Sequence, residues 1–134
     1  MSERTLLIEG GHVFTADADG SEYPGGFVLI RGDRIAAVGA GEDAPAQADE
    51  RVDATDCVVV PGFINTHQHP WYCLFKDLGS GMLLEQWIGN LLEPTARAMR
   101  PADLEVASRL ACLEMIASGT TTCLNHSVTR TATT

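Results

Sequence analysis

Over the first fifty-odd positions, apolar residues recur in runs of four or five, broken by Gly and Asp. Residues 5–8 and 12–15 flank Gly10-Gly11, which reads as a turn. Residues 27–30 and 34–38 flank Gly32-Asp33, a two-residue hairpin signal. Residues 39–49, rich in Gly, Ala, Pro and acids, read as a loop, and residues 51–54 add one more short strand. A longer apolar, β-branched run follows, Val58-Val59-Val60-Pro61-Gly62-Phe63-Ile64-Asn65-Thr66-His67-Gln68-His69, which reads as a buried strand. From Trp71 onward the period changes. Leu83, Leu84, Trp87, Ile88, Leu91 and Leu92 recur at helical spacing within 82–99, and Pro94 must kink or split that helix. A second helix starts with Pro101 at its first position and Asp103 in its first turn, and runs to about Ser118 with Gly119 as its stop. Its expected packing face is Leu104, Ala107, Leu110, Ala111, Leu113 and Ala117. Residues 120–126 then read as a second buried strand. The order of a β-rich segment, strand, helices and strand is the opening of a parallel βαβ arrangement, so the expected class is α/β.

Composition narrows this picture without redrawing it. The chain has 134 residues, 45% of them hydrophobic, which suits one ordinary globular domain. A net charge of -9 argues against broad binding to nucleic acid or to an anionic membrane, since both require basic patches. There is no apolar window long enough to cross a bilayer, and Met1-Ser2-Glu3-Arg4 lacks the pattern of a signal peptide, so the expected location is cytoplasmic. The four cysteines show no C-x-x-C spacing and read as free thiols, with Cys57 and Cys123 expected as small buried hydrophobes in strands. The tripeptide Arg31-Gly32-Asp33 is a hairpin turn in this context, not an adhesion motif.

The chemistry concentrates at the end of the long run. In an extended backbone residues i and i+2 point to one side, so His67 and His69 can offer two imidazoles to one divalent metal ion. Two histidines are costly to bury at a strand end without a partner, which favours metal binding over a structural polar pair. A metal held there would serve as a Lewis acid and bring the pKa of water toward neutrality. Two imidazoles do not fix its identity: zinc is expected, with iron and manganese as alternatives.

The string Pro61-Gly62-Phe63-Ile64-Asn65-Thr66-His67-Gln68-His69, behind a strand-rich N-terminal segment, resembles the amidohydrolase superfamily of metal-dependent hydrolases. The resemblance implies a small N-terminal β-sandwich portion over residues 1–56 and, over 57–134, the first βα units of an incomplete TIM (β/α)8 barrel. It also implies that His67 and His69 bind the catalytic metal at the end of barrel strand 1. Dihydroorotases and hydantoinases usually carry Asp two residues before the first ligand, whereas this chain has Asn65, as do many deaminases and the triazine hydrolases. The stretch from Met99 to Thr122 also resembles that aminohydrolase branch. The implied reaction is hydrolysis of a non-peptide C–N bond, deaminating a purine, pyrimidine or triazine-like ring. The expected partners are a small heterocyclic substrate and further copies of the same chain.

His126 falls at the end of the second strand, on the face where barrels keep their active sites, and either a substrate or second-sphere role or a structural hydrogen bond suits it. Trp71, Tyr72 and Trp87 could line a pocket for a flat heterocycle, although each alone reads as core packing. Gln68 alternates away from the pair, and His12 lies in the N-terminal strands. The family's later histidines, its acid–base Glu and its late Asp have no counterparts in these 134 residues, so no catalytic residue is assigned. A barrel needs roughly 250 residues. The expectation is therefore an N-terminal portion of a longer enzyme, inactive and poorly folded alone, with residues 127–134 as an interrupted loop. Two other readings are a hydantoinase-like cyclic amidase and a non-catalytic module that binds metal or a partner.

Overall fold

The computed structural model describes residues 3–127. The chain divides into two units, Met1–Pro61 and Gly62–Thr134. Residues 128–134, most of the expected terminal loop, lie outside the described residues.

The first unit is a five-stranded sheet of β1 (Thr5–Phe14), β2 (Glu22–Arg31), β3 (Arg34–Gly39), β4 (Glu50–Asp53) and β5 (Val58–Val59). Its order is β3-β2-β1-β4, with β5 also paired to β1. The hairpin at Gly32-Asp33 forms as expected, with Arg31 opposite Arg34. Gly10-Gly11 is not a turn. β1 runs through it as one strand, with register shifts on either side of Gly11. Gly10 has φ +87°, a conformation open to glycine, so the chain bulges there and carries on. Opposite the bulge, the parallel partner strand also breaks. β4 ends at Asp53, Ala54 N–H bonds to Glu9 O at 2.8 Å, and β5 resumes after His12 N–H bonds to Cys57 O at 2.9 Å. Leu7, Phe27 and Leu29 form the core of the sheet, with Ala37, Ala44 and Ala48 packed against them.

The long apolar run is likewise not one strand. Val58–Val59 belongs to the first unit as β5, and β6 (Phe63–Gln68) opens the second. Pro61 and Gly62 separate them, because proline has no N–H for a ladder and glycine gives no side chain to pack. Cys57 precedes β5 and is exposed, against the expectation of burial, while Cys123 is half-buried in a strand.

In the second unit a 3-10 segment (Pro70–Phe75) follows β6. Next come α1 (Leu84–Trp87), a π-turn (Ile88–Leu92), α2 (Glu93–Ala98), α3 (Pro101–Ala117) and β7 (Thr120–Asn125). β6 and β7 pair in parallel, the expected βαβ relation. Pro94 cannot give an N–H to the turn before it. The helix widens into the π-turn and restarts as α2 with Pro94 in its first turn.

The ends of α3 are built as expected. Asp103 Oδ2 accepts from Arg100 N–H at 2.8 Å, satisfying the N-terminus. Ser118 N–H bonds to Glu114 O at 3.1 Å, and Gly119, at φ +83°, turns the chain out of the helix. The packing face differs from the expectation. Ala107, Ala111 and Met115, four residues apart, are the buried positions, while Leu113 is 66% exposed. The alanines let the 3-10 segment come close, so Trp71 and Phe75 pack on Ala107 with Leu104 alongside. β6 and β7 were expected to be buried, but Phe63, Ile64 and Leu124 are exposed, because the two strands form a sheet of their own among the described residues. No helix of the described residues is long and apolar enough to cross a membrane.

Candidate metal centre

The site begins with a side chain that diverts the backbone. Asn65 Oδ1 accepts the His67 N–H at 3.0 Å, an Asx-type bond across two residues. That N–H is withdrawn from the ladder, and the β6–β7 register shifts between Asn65 and Gln68. Pairing returns at Gln68 opposite Asn125, and His126 N–H bonds to Gln68 O at 2.8 Å. The ends of both strands are thereby pinned side by side.

His67 and His69 meet with their Nε2 atoms 3.2 Å apart and their rings at 66°. Two nitrogens bound to one tetrahedral zinc at ~2.0–2.1 Å lie about 3.3 Å from each other, so the pair fits one ion. Protonation suits it too. His69 Nδ1 lies 2.8 Å from the carbonyl oxygen of His126, which can only accept. Nδ1 therefore carries the hydrogen, leaving the Nε2 lone pair of the neutral ring free for a metal. A main-chain carbonyl on the second nitrogen is one of the usual ways in which a metal-binding histidine is oriented, beside a carboxylate or a water. Among the described residues no group of three or more His, Cys, Asp and Glu side chains is set to hold a metal ion, so His67 and His69 stand as a pair of candidate donors.

Around the pair, the His126 ring lies 4.6 Å from that of His67 and 5.5 Å from that of His69. Tyr72 stacks on His69, with ring centroids 4.6 Å apart and planes 10° from parallel. Trp87 meets Tyr72 edge-on at 5.3 Å and is half-buried. Trp71 is 4% exposed and sits in the core with Phe75 and Ala107, so it backs Tyr72 rather than facing open space. Burial also pushes the Tyr72 phenol above its ordinary pKa. His12 is elsewhere: it pairs with Glu22 at 3.2 Å and stacks on Phe14.

Two contributors escape a reading of the sequence. Asn65 looks like a mark of the subfamily, yet it is also the acceptor that bends the strand before the pair; its Asx-turn chemistry was the available signal. The His126 carbonyl gives no signal at all, since every residue has one.

The sequence profile of the Amidohydrolase family matches residues 58–133, more than half of the chain. The chain belongs to the amidohydrolase family. It is 38% identical over 115 residues to a 5′-deoxyadenosine deaminase of Methanococcoides burtonii, covering 86% of this chain and 26% of that protein. It is also 38% identical over 123 residues to a 5-methylthioadenosine/S-adenosylhomocysteine deaminase of Syntrophobacter fumaroxidans, covering 90% and 28%. Among solved structures, an adenosine deaminase from Xanthomonas campestris with bound zinc superposes with a TM-score of 0.83 at 26% identity, covering 91% of this chain and 28% of that one. An atrazine chlorohydrolase from Arthrobacter aurescens TC1 complexed with zinc gives 0.81 at 26% identity, covering 90% and 28%. This amidohydrolase chain therefore spans about a quarter of the length of the relatives it matches.

Proposed function

We propose that this chain forms the opening part of a metal-dependent hydrolase that replaces an exocyclic amino group of a purine, pyrimidine or triazine-like ring with oxygen, releasing ammonia. The observation that carries the reading is the 3.2 Å approach of the His67 and His69 Nε2 atoms, with the tautomer of His69 set by the His126 carbonyl. The names of the relatives supply the substrate class. The zinc in the Xanthomonas campestris and Arthrobacter aurescens structures supplies the choice of metal.

In this reading His67 and His69 hold a divalent ion, zinc by preference, which when bound supplies Lewis-acid polarisation of a water molecule. A catalytic zinc takes about three protein ligands and keeps one position open. The remaining donors and the acid–base carboxylate belong to the part of the relatives' length that this chain does not span. His126 offers an imidazole beside the pair to hydrogen-bond the heterocycle, and Trp87 with Tyr72 gives a flat aromatic wall. Trp71 supports that wall from the core. In the same reading the five-stranded sheet is part of a β-sandwich closed by later residues. β6, the helices and β7 open the barrel.

The test uses the polypeptide at its natural length, purified and assayed for bound metal and for ammonia release from 5′-deoxyadenosine and other aminated heterocycles. Wild type retains divalent metal and releases ammonia, and His67→Ala with His69→Ala removes both. Metal retained in full by the double variant, or no ammonia from any aminated ring, overturns the proposal.

A further inference from the structure

We infer that Tyr72 is a positioning residue for the metal pair, its ring fixing the plane of the His69 imidazole; this rests on the reading of His67 and His69 as ligands. An imidazole on a strand end has two side-chain torsions to settle before its lone pair points anywhere useful. The Nδ1–H bond to the His126 carbonyl fixes one atom of the His69 ring but leaves the ring free to rock about that bond. The Tyr72 face, 4.6 Å away and within 10° of parallel, removes that motion. Tyr72 is itself held, since it sits in the 3-10 segment directly after His69, its N–H bonds to His69 O at 3.0 Å, and Trp87 abuts its ring edge-on. The two restraints together aim His69 Nε2 at the place where it meets His67 Nε2.

The contact is made by the flat ring, so the hydroxyl is dispensable and a non-aromatic side chain of similar bulk is not a substitute. Leaving one ligand side chain to be ordered on binding weakens metal affinity by about 3- to 10-fold.

The experiment measures zinc affinity by competition with a chromophoric chelator, and the visible spectrum of the cobalt(II) form, in the natural-length polypeptide. Tyr72→Met, which fills space without a flat face, should bind zinc about 3- to 10-fold more weakly with an altered cobalt spectrum. Tyr72→Phe should restore both. Circular dichroism of the metal-free variants checks folding, and Tyr72→Leu serves as a second ring-free variant if Tyr72→Met does not fold. Wild-type affinity and spectrum in the folded ring-free variant, or a loss in Tyr72→Phe equal to that in Tyr72→Met, overturns the inference. His67→Ala separates the two claims. If it leaves zinc affinity intact, the ligand reading itself fails; if it abolishes binding while Tyr72→Met is unaffected, only the role of Tyr72 falls.

Discussion

Trp71 tests how the floor of the site is held. The side chain is 4% exposed, and its Nε1–H is a buried donor with no acceptor among the described residues. Replacing it with Phe removes two carbons and that nitrogen. Two carbons taken out of a packed core cost ~1.6 kcal/mol at ~0.8 kcal/mol each. The cavity left behind adds about 1 kcal/mol. Against this, the substitution deletes a desolvated donor that lacks a partner, a penalty of about 1–3 kcal/mol in the wild-type fold. The terms nearly cancel, so Trp71→Phe should fall within about 1 kcal/mol of wild type. Trp71→Ala, which also opens the space against Phe75 and Ala107, should cost about 3–5 kcal/mol. Urea unfolding of the natural-length polypeptide, with the m-value checked for constancy, gives both numbers. A Trp71→Phe cost above about 2.5 kcal/mol would refute the reasoning, because it would mean that the indole N–H has an acceptor in the folded protein.

Two further predictions concern the helix that links the paired strands. The Arg100 side chain and backbone N–H hold the Asp103 carboxyl at about 2, below its ordinary 3.8. A carboxyl depressed in the folded state stabilises it above the unfolded pKa and loses that contribution as pH falls through the folded value. Asp103→Asn should therefore lower the melting temperature near neutral pH and flatten the fall in stability between pH 3.8 and about 2; an unchanged acid limb in a thermal melt series would count against the cap. Gly119 sits at φ +83°, where a Cβ is strained whatever the space around it, so Gly119→Ala should destabilise by about 1 kcal/mol in the same unfolding assay. A neutral result there would show that the chain leaves α3 by another route.

What the sequence makes legible is local chemistry. Pro101, Asp103 and Gly119 mark both ends of α3 because capping is decided within a turn or two. The spacing of His67 and His69 is equally local, and the structure brings their nitrogens together. The failures share a different cause. Whether Gly10-Gly11 turns or bulges depends on the strand that comes to lie beside it, forty residues later. Leu113 looks like a core residue by period, yet the alanine stripe of α3 receives Trp71 and Phe75 because small side chains permit the closer approach. The division at Pro61-Gly62 was spelled out in residue type, but an unbroken run of valines before it and Phe63-Ile64 after it concealed the break.

The same distinction governs the site. Its two candidate ligands lie two positions apart in sequence, but the group that sets the tautomer of one of them is the carbonyl of His126, directly after β7 and 57 residues away. His126 takes part twice, giving its N–H to Gln68 O and receiving the Nδ1–H of His69 on its own carbonyl. Neither bond depends on the identity of its side chain, and both depend on β7 lying in register beside β6. That register is delivered by the crossover through α3, whose ends are fixed by Asp103 and Gly119. A cap substitution that shifts β7 along β6 should therefore disturb the imidazole pair by moving that carbonyl. Replacing the His126 side chain leaves that carbonyl in place and alters only what stands beside the pair.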